Sequence, residues 1–211
     1  IDTTAKPEGL PCTVEVLSTV FSPALGILAT AYADSTARVW SVSQERDHKT
    51  GLSTDGHERC IVKHEGAVTG VCILAPWLLA CSADSTGTIS IWQACPVAVQ
   101  GQVLYRWPNL HVASRTSVVT SMQFLAEEGV LLTGDDSGEV KAWYLKNFFL
   151  HVGAKPGMPA LSRHKELKAL QHWQAPFILR KWQAHATEVT SLQLINEPKC
   201  LLTGSKDGQV K

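Results

Sequence analysis

The sequence predicts an all-β fold of repeated four-stranded antiparallel units, and three observations carry that expectation. A spacing pattern of 29 residues recurs four times, counted from Cys12, His64, Arg115 and His185. Within it, a short β-branched and apolar segment precedes a hydroxyl residue beside a small one, and then a tryptophan. Turn residues of hairpin type separate these segments at fixed positions. Repeats of this length mark stacked architectures rather than a single wound core.

The register is tight. With each starting residue numbered zero, offsets 4 to 9 read VLSTVF, VTGVCI, VTSMQF and VTSLQL. Offsets 18 and 19 are Thr30-Ala31, Ser82-Ala83, Thr133-Gly134 and Thr203-Gly204. Offset 28 is Trp40, Trp92 and Trp143, and the fourth copy would place its tryptophan two residues beyond Lys211.

Taken in order, residues 1–11 read as a linker or the edge of a preceding unit. The first blade and its insertion occupy 12–59: a segment from Val16, a turn around Pro23 and Gly26, an apolar run over 27–31, and an alternating segment ending at Trp40. The second blade takes 60–102, the third blade with a basic insertion 103–176, and an incomplete fourth 177–211. Thr86-Gly87, Ser137-Gly138 and Asp207-Gly208 suit tight hairpins, because Gly tolerates positive φ and the preceding side chain bonds nearby backbone. The first copy has Ser35 in place of Gly, a weaker turn. A more variable fourth strand lies between windows: Cys60-Ile61-Val62-Lys63, Val103-Leu104-Tyr105-Arg106-Trp107 and Phe177-Ile178-Leu179-Arg180. Four short strands cannot bury their apolar faces alone, so the units must stack around a shared axis as propeller blades.

The tryptophans are 52 and 51 residues apart and the implied next interval is 70. A minimal repeat of this kind is about 40–45 residues. The surplus therefore follows each tryptophan. The insertion after Trp40 is polar and of mixed charge. That over 144–176 is basic: Lys146, Lys155, Arg163, Lys165 and Lys168 stand against Glu166 alone. Within it, the run from Ser162 starts a short helix with Leu167, Leu170 and Trp173 at helical spacing and Pro176 beyond its end.

The pattern resembles the WD-repeat β-propeller family over essentially the whole chain after residue 11. In that family a His, a Ser or Thr, a turn Asp and a Trp form a buried hydrogen-bond network in each blade. Carried over, the resemblance assigns Thr30, Asp34 and Trp40 in copy one, with Cys12 at the His position. It assigns His64, Ser82 and Trp92 in copy two, where Thr86 sits at the Asp position. Copy three keeps Thr133 and Trp143, with Arg115 and Ser137 replacing His and Asp, and copy four has His185, Thr203 and Asp207. The runs LLTGDDSGEVKAWYLKNFFL and KWQAHATEVTSL, with the long basic insert, are similar to a narrower group, the WD-repeat proteins of cilia and flagella. That similarity implies an axonemal scaffold subunit bound to tubulin or microtubule-associated proteins, located in the cytoskeleton of a cilium or flagellum.

Composition bounds the alternatives. A chain of 211 residues, 45% hydrophobic and 18% charged, is globular and long enough for a sizeable core. Net charge is zero, so no global field draws it to nucleic acid or to an anionic membrane. The longest apolar run, 70–81, is too short for a bilayer and contains Pro76. The chain opens with Ile1 rather than Met, so the lack of a targeting signal is uninformative. Six cysteines without a CxxC pair read as buried reduced thiols of an intracellular protein.

His64, Ser82 and Asp84 supply the residue types of a hydrolase triad, yet several degraded copies fit a framing role better than one active site. His57, Cys60 and His64 match no closed zinc spacing, and no glycine-rich phosphate loop precedes a helix. The expectation is a non-catalytic scaffold without cofactor, metal or small-molecule substrate. Its partners are other proteins of a multi-subunit assembly, with a nucleic-acid or ribonucleoprotein scaffold as the alternative. Partner binding falls to what differs between copies: Trp77, Arg115 and the insert residues Lys146, Lys155, Arg163, Lys165, Lys168 and Trp173. Three windows and an unfinished fourth do not close a ring, so the chain reads as an excerpt of a larger propeller.

Overall fold

A computed structural model describes residues 14–42, 56–94, 102–110, 116–156, 176–197 and 199–211. The first sheet contains β1 (Val16–Ser22), β2 (Ile27–Tyr32), β3 (Thr36–Val42) and β4 (Gly56–Lys63). The second contains β5 (Val68–Leu74), β6 (Leu79–Asp84), β7 (Thr88–Gln93) and β8 (Val103–Pro108). The third contains β9 (Val119–Leu125), β10 (Val130–Asp135), β11 (Glu139–Tyr144) and β12 (Phe177–Gln183), with helix α1 (Lys146–His151) between its last two strands. In the fourth, β13 (Val189–Asn196) pairs with β14 (Lys199–Ser205). All pairings are antiparallel and follow chain order.

The first strands β1, β5, β9 and β13 lie next to one another in that order, so the sheets stack as blades of a β-propeller. The core sits in the seams. One apolar cluster joins the first two blades around Val39, Val68 and Trp92, a second joins blades two and three, and a third joins blades three and four around Val140 and Val189. A single blade has no core of its own, as expected for stacked units.

Two expectations shift here. The sequence windows place the strands beginning near residues 60, 103 and 177 at the start of the following blade. Instead β4 pairs with β3, β8 with β7 and β12 with β11, so each closes the outer edge of the preceding blade. A meander keeps pairing its newest strand to the last one across the insertion, and only then does the chain return to the axis. Cys200, read as buried, is exposed, whereas Cys60, Cys72 and Cys81 are buried thiols outside any disulfide. Its equivalents Ile27, Leu79 and Val130 are covered by a third strand. Among the described residues only the bridge Gly204–Val210 begins one beside β14.

Each blade carries a bulge at one position of its first strand, where Leu17, Thr69, Thr120 and Thr190 fall out of register. A bulge re-aims the extra side chain away from the ladder. Thr69 uses this to donate to the Val119 carbonyl of the next blade at 2.6 Å, and Thr120 does the same to the Val189 carbonyl at 2.6 Å.

The hairpin glycines adopt φ of 79° at Gly87, 84° at Gly138 and 79° at Gly208, and Ser35 takes 65° in the same place. Gly138 is the most demanding. A Cβ there would lie 2.3 Å from the His185 carbonyl oxygen and 2.7 Å from that of Thr187. Both belong to the link into the next blade and cannot yield without opening the seam. Gly138→Ala is expected to cost about 3 kcal/mol, combining left-handed strain with the clash. Gly26→Ala has φ 60° but open space around its Cβ, and should cost only about 1 kcal/mol. Urea unfolding midpoints of the two variants make the comparison.

Candidate functional site

The repeated polar residues meet inside the blades. The indole N–H donates to the hydroxyl ten residues earlier at 2.9 Å in three blades: Trp40 to Thr30, Trp92 to Ser82 and Trp143 to Thr133. In blade two the network continues, with His64 Nε2 2.8 Å from Ser82 Oγ and Nδ1 2.9 Å from Asp84 Oδ2. In blade four, His185 Nε2 lies 2.8 Å from Thr203 Oγ1 and Nδ1 3.1 Å from Asp207 Oδ2. A carboxylate only accepts, so Nδ1–H donates to Asp84 and Nε2 accepts from the Ser82 hydroxyl, whose oxygen accepts from Trp92. Every donor in that chain has one acceptor.

The carboxylate does not keep one sequence position. Thr86 and Ser137 occupy the place of Asp34 and Asp207, but the acid of blades two and three comes from two residues earlier, Asp84 and Asp135. Thr86 and Ser137 instead donate their hydroxyls to Oδ1 of those acids, at 2.5 and 2.6 Å. Residues two apart at a strand end project to the same side, so either can reach the site. In blade one, Asp34 accepts from the Thr36 hydroxyl at 2.5 Å and pairs with Arg38 at 3.0 Å.

Blade three departs furthest. Arg115, placed by spacing at the His position, lies outside the described residues, and the seat belongs to Asn109. The backbone N–H of Asn109 bonds the Gly87 carbonyl at 2.7 Å, as His64 bonds Ser35 at 2.8 Å and His185 bonds Gly138 at 3.1 Å. Its amide reaches Asp135 Oδ2 at 3.4 Å. The charged partner of Asp135 is Lys141, fully buried, with Nζ 2.8 Å from Asp135 and 2.8 Å from Glu139. Leu110 and Thr116 are bridged, and in sequence Arg115 stands six residues after Asn109. That six-residue surplus moved the apparent start of the repeat to Arg115.

The His64 group has the distances of a nucleophile, base and orienting acid. Its Ser82 is nevertheless 0% exposed and Asp84 1%, and the Ser82 oxygen is already bonded to Trp92. A reacting carbonyl has no approach to that oxygen, so the geometry serves the fold. Among the described residues no three His, Cys, Asp or Glu side chains converge to hold a metal, and the His57 side chain lies outside them. No helix among them is long and apolar enough to cross a membrane.

Burial raises the Asp84 carboxyl, but hydrogen bonds from His64, Thr86 and Thr88 outweigh it and hold it below its ordinary value of 3.8. Burial likewise raises Asp135, and Lys141, Ser137 and the Glu139 N–H hold it below the same 3.8. A carboxylate whose pKa is depressed on folding contributes stability that is present above the unfolded value and lost as pH falls through the folded one. Stability should therefore be level near neutrality and fall below about pH 4. Asp84→Asn should lower the plateau and flatten that acid limb in urea titrations. An unchanged limb would mean that Asp84 does not report on folding.

The opposite face of the blades carries the insertions. Each root bonds the turn between the first and second strands: Val42 N–H to the Gly26 carbonyl at 3.0 Å, Ala94 to Leu78 at 2.9 Å and Leu145 to Gly129 at 2.8 Å. Here α1 was not foreseen from the sequence. It buries Phe148 and Phe149 at the seam of blades two and three and leaves Leu150 79% exposed. Trp77, expected as a free anchor, is half-buried, with its ring stacked on Phe149 at 4.2 Å and edge-on to Phe124 at 5.9 Å. Its main ring contact is internal. Lys146 and Lys155 are exposed on this face, while Arg163, Lys165, Lys168, Trp173 and the helix expected from Ser162 lie outside the described residues.

Comparison with known proteins agrees with this architecture. The family model described as "WD domain, G-beta repeat" matches residues 10–41 and 177–211. A segment of 90 residues is 32% identical to a WD repeat-containing protein on Y chromosome from Drosophila ananassae, covering 36% of this chain and 8% of that relative. The chain thus spans a small part of the relative it matches. WD40 domains mediate interactions with other proteins. With matched repeats at both ends and an indole–hydroxyl bond in three successive propeller blades, the chain carries repeats similar to those of the WD40 family.

Proposed function

We propose that the chain is a non-catalytic protein–protein interaction scaffold of a large assembly, working through its insertion-bearing face. The observation that carries this reading is α1. A six-residue helix wedges two aromatic side chains into a seam while holding Leu150 outward beside Lys146, so the insertion root is fixed and its outer side is left to a partner. The insert that follows is basic by sequence, which suits an acidic protein surface. Resemblance of the 131–150 run and of the insert to the WD-repeat proteins of cilia and flagella favours an intracellular axonemal setting, with tubulin or a microtubule-associated protein as the neighbour. The buried position of the His64 group supports the non-catalytic part.

Cosedimentation with purified axonemal microtubules tests the reading. The chain should pellet with them, and charge reversal of Lys146, Lys155, Arg163, Lys165 and Lys168 should release it. Failure to pellet at low salt defeats the axonemal assignment. Salt-sensitive RNA binding lost in the same variant would favour the ribonucleoprotein alternative, which rests on the same basic insert.

A further inference from the structure

We propose that Cys72 and Cys81 of blade two form a reversible oxidation site, which hydrogen peroxide converts to a cross-strand disulfide. The two residues stand directly opposite each other on β5 and β6. Both side chains lie in the cluster that fills the seam between blades two and three, so they leave their strands on the same face. Opposed residues of an antiparallel ladder have Cα atoms about 4.5–5.5 Å apart, inside the span of about 4.4–6.8 Å that a disulfide bridges. Their Cβ atoms are about 4.5–5.5 Å apart and draw in by about 1 Å on bridging, so the bond forms under slight strain and is readily reduced again. The ladder itself does not require this pair. The same two places hold Val20 and Ala29 in blade one, Gln123 and Leu132 in blade three, and Gln193 and Leu202 in blade four.

The surroundings set when the step occurs. Cys72 is 4% and Cys81 0% exposed. Burial pushes the Cys72 thiol up to about 12 and the Cys81 thiol well above its ordinary value, where the adjacent Cys72 adds to the rise. Both stay protonated and inert while the seam is shut, since the thiolate is the reacting form. The turn that joins their strands supplies the opening. Leu78 holds φ 47° where Gly26 and Gly129 stand in the neighbouring blades, so this hairpin carries backbone strain that theirs lack. Local opening there exposes both thiols together. One thiolate then attacks a peroxide oxygen. The O–O bond breaks, hydroxide leaves with the proton that the thiol released, and a sulfenic acid forms. The sulfur of the second thiol displaces the sulfenic hydroxyl, which departs as water with that thiol's proton, and the S–S bond closes. The thiols lose two electrons and two protons, and one peroxide becomes two waters. A neutral bridge suits an apolar seam, whereas a monovalent soft metal ion held by two thiolates would bury a net charge there. The bridge spans the hairpin whose turn holds Trp77 on Phe149, so oxidation clamps the turn against which α1 packs.

Peptide mapping of the folded 211-residue chain tests this. The chain is incubated with hydrogen peroxide, its remaining thiols are alkylated in concentrated urea, and chymotrypsin then cuts the backbone between the two cysteines at Trp77. A pair of peptides joined through Cys72 and Cys81 is expected, with loss of alkylation at both positions, and dithiothreitol should part it. Neither Cys72→Val nor Cys81→Ala should yield the joined pair. Those substitutions copy Val20 and Ala29 of blade one, so far-ultraviolet circular dichroism should stay unchanged. Full alkylation of both cysteines after exhaustive peroxide treatment of the folded chain overturns the proposal. So do sulfinic acids at both positions, or bridges from either residue to Cys60, Cys95 or Cys200 in preference to each other.

Discussion

Replacing Trp92 by alanine should destabilise the protein by about 3–5 kcal/mol, the range for removing a fully buried large aromatic side chain. Trp92 is 0% exposed and lies in the seam cluster with Cys60 and Val62 of the preceding blade, so the cavity opens between blades rather than within one. Its N–H also holds the Ser82 oxygen that orients His64. Trp92→Phe separates the two contributions. It keeps most of the apolar volume and loses the hydrogen bond, and should cost about 1–2 kcal/mol. Equilibrium urea unfolding of both variants measures the split. Equal losses would mean that the network, and not the seam packing, dominates.

Lys141→Ala should be as costly, about 3–5 kcal/mol, for a different reason. The ammonium lies between the Asp135 and Glu139 carboxylates at 2.8 Å each, with all three side chains buried. Removing it takes away the buried cation between two like charges, leaving Glu139 only the exposed Lys181 at 4.0 Å. The triple change to Lys141→Met, Asp135→Asn and Glu139→Gln should recover most of the loss, because the uncompensated charge goes with it. The unfolding free energies of the single and triple variants decide this. A triple variant no more stable than Lys141→Ala would assign the effect to lost packing of the lysine stem instead.

Blade three shows why such a lysine is present. Blades two and four satisfy the turn carboxylate with a histidine from the incoming link. Blade one uses Arg38 and blade three Lys141, both 26 residues into their windows, where blade two has the uncharged Ser90. Each acid has one strong cationic or imidazole partner, supplied either from the link or from the third strand. The seat beside Asp135 is taken by Asn109, whose amide alone would leave the acid weakly held.

Much of this was legible in the chain. Regular spacing located the tryptophans, their hydroxyl acceptors and the hairpin glycines, because strand, turn and strand have nearly fixed lengths, so side chains that meet in space recur at fixed offsets. Legibility failed wherever a length changed or where two positions could serve one seat. Six extra residues between Asn109 and Thr116 hid the true counterpart of His64 behind Arg115. Asp135, and the framing role of Asp84, went unassigned because a position two residues away looked like the proper one. Helix α1 is under two turns long, too short for periodicity to reveal, and Phe148 and Phe149 acquire meaning only from the seam they fill.

The sequence by itself determined an all-β repeat architecture, the blade as its unit and the indole–hydroxyl pairs inside three blades. Alternation, turn chemistry and hydrogen-bond inventory are local properties that a chain states directly. Only the tertiary structure decided which sheet owns each outer strand, that Trp77 is stacked on Phe149, and that Lys141 is buried. These depend on what neighbouring blades bring to a shared seam, and a seam joins residues whose separation in the chain is set by insertions of no fixed length.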